Sequence, residues 1–208
     1  SQFKEGFVLI TLGMFKKVII GDSAGKVVNQ IFAEPTYYAS IELIMGIVLF
    51  TIQIYADFSG YTNIARGTAK MFGINIMENF EQPYFSQSLT EFWRRWHISL
   101  STYLKDYLYT PLAISTRQWG MISITFSLFV TFVLAGLWHG AGWTFIIFGA
   151  LHGGALVYEA LSRKFRKKLN RNFPPYLYNM FCMLLAFVYV MFTFVFFRAD
   201  TVNDSFLI

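Results

Sequence analysis

From Gln118 to Tyr158 the chain carries no Asp, Glu, Lys or Arg, and near the middle of that run stands Gly136-Leu137-Trp138-His139-Gly140-Ala141-Gly142-Trp143. A membrane-crossing helix needs roughly 20 apolar residues, so a run of this length predicts two spans back to back, with His139 at the turn between them. As a helix, Met121 to Trp138 rises roughly 27 Å, close to one crossing. Gly142 to Tyr158 returns, and Gly149 and Gly153 have the small-xxx-small spacing that lets helices approach closely. His152 lies between those glycines. An ionisable side chain at such depth marks a functional site by default, because leaving it unsatisfied in lipid is costly.

The remainder of the chain supports an integral membrane protein. Of its 208 residues 55% are hydrophobic and 14% charged, proportions foreign to a soluble domain. The net charge of +5 would suit nucleic acid if it were spread over one face. Instead Arg163, Lys164, Arg166, Lys167, Lys168 and Arg171 crowd into one segment between apolar stretches, the pattern of a cytoplasmic loop with lipid headgroups as neighbours. Nucleic acid is not an expected partner. Tyr176 to Phe197 is a further span, closed by Arg198 and Asp200. Cys182 is alone, so an intramolecular disulfide is excluded. The opening Ser-Gln-Phe-Lys has no signal-peptide layout, and the expectation is an excerpt of a longer protein.

Upstream, Phe7 to Phe15 is apolar but short, and predicts a tilted or bundle-buried helix whose Lys16 and Lys17 reach an interface. Asp22 to Pro35 reads as a polar connection with some helical character. Tyr37 to Ala56 is long enough to cross, and Asp57-Phe58-Ser59-Gly60-Tyr61 is expected to break it. Asp57 has two readings: a partner for a cation or backbone amides near membrane depth, or a helix-terminus carboxylate at the water boundary. Ser88 or Thr90 can cap the next helix, with Glu91 in its first turn. That helix, about Leu89 to Thr110 and ended by Pro111, has Phe92, Trp96, Leu100, Tyr103 and Tyr107 at helical spacing, widened by Trp93, His97 and Leu104. Arg94, Arg95, Lys105 and Asp106 take the other side, as in an interfacial amphipathic helix.

No Ser elbow, Walker loop, dinucleotide Gly pattern or close His/Cys/carboxylate cluster is present, and His97, His139 and His152 lack the spacings of common metal sites. No metal is expected. Neutral imidazole is suited to take a proton from a hydroxyl near neutral pH, and in a dry cavity it can activate an alcohol against an acyl carbonyl. The competing reading is that each histidine hydrogen-bonds a backbone carbonyl and only locks helix packing. It weighs most for His152 and least for His139.

Several long motifs occur in order: Tyr55-Ala56-Asp57-Phe58-Ser59-Gly60-Tyr61, Glu78-Asn79-Phe80-Glu81-Gln82-Pro83-Tyr84, Glu91-Phe92-Trp93-Arg94-Arg95-Trp96-His97-Ile98-Ser99-Leu100-Ser101, Lys105-Asp106-Tyr107-Leu108-Tyr109 and Gly136-Leu137-Trp138-His139-Gly140-Ala141. Phe15-Lys16-Lys17 upstream and Phe196-Phe197-Arg198-Ala199-Asp200 downstream extend them. Together they resemble the membrane-bound O-acyltransferase family over nearly the whole chain, most closely its bacterial alginate-acetylating branch. One departure is Pro111-Leu112-Ala113-Ile114-Ser115-Thr116-Arg117, where that branch usually continues into Gly-Gly-Asn-Arg; it bears on the acceptor more than on the chemistry.

The resemblance implies an all-α, polytopic membrane protein, with transmembrane and interfacial amphipathic helices around a central tunnel, of which residues 1–208 form part of the catalytic membrane domain. It implies transfer of an acyl group, acetyl above all, from a cytosolic thioester to a hydroxyl of an envelope polysaccharide or a relay protein, in the bacterial inner membrane. The donor is acetyl-CoA, another acyl-CoA or an acyl carrier thioester, without a tightly bound cofactor. The partner is the polymer or a periplasmic SGNH-type acetyltransferase. His139 is then the base, with His97 orienting a substrate or sharing the proton. Trp93, Trp96 and Trp138 line and dry the cavity, with Asp57 as a further lining residue, and Arg94 meets donor phosphates or lipid headgroups. The alternatives are D-alanyl, lipid or protein acylation within the same family, and a non-enzymatic transport or scaffold protein.

Overall fold

The computed structural model describes residues 2–208, and every regular element among them is helical. Among the described residues four helices are long and apolar enough to cross a membrane: Ser40–Met71, Met121–His139, Trp143–Leu161 and Pro175–Arg198. The chain divides into two compact units, one running to Phe80 and including Phe206–Ile208, the other Glu81–Ser205.

In the first unit, α1 (Gln2–Met14) continues through a wider π-helical stretch, Phe15–Gly21, into α2 (Asp22–Ala33). The expected short helix and polar connection are thus one long helical run, and the lysines fall in its π-helical middle. α3 (Ser40–Met71) packs antiparallel along it. At its start, the Glu42 side chain accepts the Ala39 backbone N–H at 2.8 Å. Glycines set the approach. A Cβ on Gly6 would meet the Gly67 carbonyl oxygen, and one on Gly13 the Gly60 carbonyl oxygen, so the backbones touch at points seven residues apart on each helix.

The expected break after Ala56 is absent: α3 runs 32 residues, roughly 48 Å, past a hydrocarbon layer of about 30 Å. Gly60 is small because the partner helix lies against it, not because the helix ends. Asp57 is therefore a mid-helix residue. Its Oδ1 accepts from Lys17 Nζ at 2.6 Å, which supports the cation-partner reading over the helix-terminus one.

In the second unit, α4 (Leu89–Arg95) and α5 (Ile98–Leu104) lead through π-helical Lys105–Tyr109 into α6 (Thr110–Ser115). The single helix expected over Leu89–Thr110 is broken at Trp96 and His97. Nor does Pro111 end it: the helical run continues through Pro111 to Ser115, with the wider π-helical turn Lys105–Tyr109 placed just before the proline. α7 (Met121–His139) and α8 (Trp143–Leu161) form the expected hairpin with Gly140, Ala141 and Gly142 at its turn. The basic segment is itself a helix, α9 (Arg163–Asn172), followed by α10 (Pro175–Arg198), which packs on α8. α11 (Val202–Leu207) comes next, and the unit closes within it at Ser205.

Gly136 and Gly149 face each other across the hairpin: a Cβ on Gly149 would meet the Phe132 carbonyl oxygen and, at 3.1 Å, the Gly136 Cα. Alanine at an open helical glycine adds roughly 1 kcal/mol of helix propensity, whereas overpacking against backbone costs about 1–3 kcal/mol. Gly149→Ala is therefore expected to lower the melting temperature in detergent. Gly154→Ala, on the same helix with nothing within 4 Å of the added carbon, is expected to raise it.

Candidate active site

Three of the sequence-nominated groups, His97, His139 and His152, belong to the second unit, and the structure gives them three different environments. α4 is the element that sets them out. Ser88 Oγ accepts the Glu91 N–H at 3.1 Å, the expected cap. Glu91 accepts the Gln87 N–H at 2.7 Å and pairs with Arg95 at 2.7 Å. A second carboxylate arrives from the end of α8. Glu159, 7% exposed, accepts the backbone N–H of Leu89 at 2.7 Å and of Thr90 at 3.0 Å, and the Thr90 hydroxyl at 2.7 Å. Glu159 and the Ser88 hydroxyl thus satisfy the orphan donors at the start of a seven-residue helix, while Glu91 takes the N–H just before the cap; the helix dipole favours both acids there.

The other end of α4 is where the chain changes direction. Trp96 is extended, and His97 adopts left-handed φ 44 and ψ 55 before α5 begins. A non-glycine residue there stores about 1–3 kcal/mol and persists only when its surroundings over-determine it. They do. Trp96 is buried and stacked on Phe92 (5.5 Å between centroids, 18° between planes), with Phe194 5.6 Å away. The Arg95 carbonyl takes the Glu81 N–H at 2.9 Å, and the Ser101 hydroxyl donates to the Trp96 carbonyl at 3.1 Å. His97, half-buried and outside the four spans, is pushed down to about 4 by burial, with the charge of His139 as the second cause. It is therefore a neutral imidazole at physiological pH, within electrostatic reach of His139.

His139 ends α7 and is half-buried. Aromatic edges surround it: Trp138 at 5.0 Å, Phe197 at 5.1 Å and Phe148 at 6.2 Å, each near perpendicular. Among the described residues no hydrogen bond engages its ring nitrogens. His152, one hairpin arm away on α8, is the opposite case. It is fully buried, with Trp93 Nε1 at 3.2 Å from Nδ1 and Thr193 Oγ1 at 2.9 Å from Nε2.

Trp93 and Trp96 are buried, whereas Trp138 is 64% exposed, with its ring 5.0 Å from that of His139. Arg94 is exposed and lines a cavity of about 610 Å³ together with Trp93, Lys105, Arg163, Arg166 and Thr131. The rim is basic and carries the first turn of α9; Leu128, Phe132 and Leu156 give it apolar walls. The Thr131 hydroxyl and Arg166 Nε are buried without a hydrogen-bond partner. Asp57 belongs to the first unit and is occupied by Lys17. No cluster of three or more potential metal ligands occurs among the described residues.

Sequence reasoning missed Glu159 and Thr193. Glu159 had a visible signal, as the acid that closes the uncharged run just before the basic segment. Thr193 had none: it is a single threonine within the apolar second half of its span.

The four apolar helices and the buried polar network between them define a multi-pass membrane protein. The chain belongs to the membrane-bound O-acyltransferase (MBOAT) family, whose model matches residues 2–199. It is 42% identical to a probable alginate O-acetylase of Pseudomonas syringae pv. tomato, over 98% of this chain and 37% of that protein. It is 38% identical to a peptidoglycan O-acetyltransferase of Helicobacter pylori, over 96% of this chain and 37% of the relative. With a teichoic acid D-alanyltransferase of Bacillus subtilis it shares 30% over 78% of this chain and 42% of the relative. The chain thus spans about two fifths of the length of the curated relatives it matches.

Proposed function

We propose that this chain carries the acyl-transfer centre of a bacterial inner-membrane O-acyltransferase, with His139 as the general base. The observation that carries the reading is the contrast between two histidines thirteen positions apart in the sequence. Both nitrogens of His152 are taken by neighbours, whereas those of His139 are left for a substrate. In the transfer, His139 takes the proton of an acceptor hydroxyl as that oxygen attacks the thioester carbonyl. The C–O bond forms, the C–S bond breaks, and the departing thiolate recovers the proton. His97 orients the reacting group beside it. The aromatic rings around His139 keep water away, which strengthens electrostatic contacts at the reacting atoms.

The donor arrives at the basic end of the α7–α8 hairpin, and its phosphates meet Arg94, Lys105, Arg163 and Arg166 around the cavity. Thr131, a buried residue in the lining of that cavity, lies eight residues before His139 on α7, roughly 12 Å along the helix. Reversing the rim charge (Arg94→Glu with Arg163→Glu) is expected to raise KM for a phosphate-bearing thioester about tenfold or more, with a smaller effect on kcat, read by steady-state transfer in vesicles.

Acetyl transfer to an envelope polysaccharide, directly or through a periplasmic SGNH-type partner, is favoured by the acetyl-transferring relatives, which exceed the D-alanyl-transferring one in identity. Mass analysis of envelope polymers from cells with and without the intact gene tests this. Acetyl esters that disappear with the gene support it, and D-alanyl esters that disappear instead give the chain the other acyl group.

A further inference from the structure

We infer that His152 is a positioning residue: a fixed-tautomer bridge that holds the His97 junction in register with the hairpin bearing His139. The inference rests on the proposed acyl-transfer reading for its activity readout, and on hydrogen-bond chemistry alone for its structural one.

The direction of every proton in the bridge follows from the donors available. An indole N–H can only donate, so at 3.2 Å Trp93 Nε1 donates to His152 Nδ1, which must present its lone pair. The ring proton is therefore on Nε2, and at 2.9 Å it is donated to Thr193 Oγ1. The Thr193 hydroxyl passes its own hydrogen to the Val190 carbonyl at 2.8 Å. Every polar side-chain group of this buried chain is engaged, and none is left over. A further proton on His152 would have to go to Nδ1, where it would face the indole N–H head on. The bridge is thus closed to proton transfer and suited to holding position.

What it holds is specific. Trp93 is on α4, His152 on α8 and Thr193 on α10, so three helices are tied at one buried imidazole. Phe148, 4.6 Å from the His152 ring, also borders His139 at 6.2 Å, and Phe92, stacked at 6.3 Å on His152, is the ring on which Trp96 stacks. Glu159, seven residues on from His152 and so on the same face of α8, holds the start of α4. α8 therefore fixes α4 at its first turn and at Trp93. Four residues beyond Trp93 comes His97 in its left-handed conformation.

The test compares His152→Gln and His152→Phe in the full chain, in lipid vesicles. A glutamine carboxamide can accept from Trp93 and donate to Thr193; phenylalanine fills the space and does neither. The expected result is that His152→Gln keeps kcat near wild type and leaves its pH profile unmoved. His152→Phe should lower kcat about 10- to 100-fold, the scale of a misplaced catalytic group, with KM less affected. Trp93→Phe, which removes the donor from the other side, should reproduce that loss if His152→Phe does not fold. Independently of activity, the Trp93 indole N–H resonance of tryptophan-labelled protein should be shared by wild type and His152→Gln, and shifted in His152→Phe. If His152→Gln moves the pH profile or abolishes transfer as His139→Ala does, His152 handles the proton and the inference is overturned. Wild-type kcat in both His152→Phe and Trp93→Phe overturns it equally. Absence of transfer in every protein, with the indole shifts as expected, would instead fault the acyl-transfer reading and leave the bridge standing.

Discussion

His139→Ala is expected to lower acyl transfer per embedded protein by about 10²–10⁴, the usual contribution of a positioned general base. The loss should fall on kcat and kcat/KM alike, because a general base, the role proposed for this imidazole, acts on a proton that moves only in the transition state. Folding should be nearly untouched. His139 closes α7 at a glycine turn, is half-buried, and contributes ring edges rather than hydrogen bonds to its surroundings. Alanine there removes packing against Phe197 and Phe148 but orphans no polar group. Transfer by the variant, with its abundance in the membrane measured alongside, separates loss of chemistry from loss of protein.

Glu159→Leu is expected to produce the largest loss of stability, about 3–5 kcal/mol, the scale of breaking a buried charged pair from one side. Leucine matches the volume but removes the acceptor for two backbone N–H groups and the Thr90 hydroxyl, and leaves Arg166, 3.4 Å from the carboxylate, without its counter-ion. Each orphaned buried donor costs about 1–3 kcal/mol. Glu159→Gln retains an oxygen for the N–H groups and should recover a large part of the loss. Thermal unfolding in mild detergent measures both. A Glu159→Leu protein as stable as wild type would mean that the start of α4 finds other acceptors.

The spans from Met121 onward were legible because uncharged length alone specifies them, and so was the hairpin turn, where two glycines within three residues weaken the helix midway along a run long enough for two crossings. The break at Trp96–His97 was hidden. Apolar residues keep the helical period straight through it, and no glycine or proline marks it. What bends the chain there is tertiary: the carboxylate of Glu159, the indole bond of Trp93 and the aromatic stack beneath Trp96. Asp57 to Tyr61 misled in the opposite direction, since small residues within a span read as an ending until the facing glycines of α1 are known. The candidate site was legible as residue types, through the Trp-His-Gly and Trp-Arg-Arg-Trp-His motifs. The division of labour among the three histidines was not, because it depends on which ring nitrogens the fold has already engaged.

Diethyl pyrocarbonate, which acylates an imidazole nitrogen bearing a free lone pair, reads that division of labour most directly. Treated in membranes and followed by peptide mass analysis, the protein should lose transfer in step with carbethoxylation of His139, while His152 stays unmodified until the fold is lost. Transfer that persists after His139 is fully modified would contradict the account.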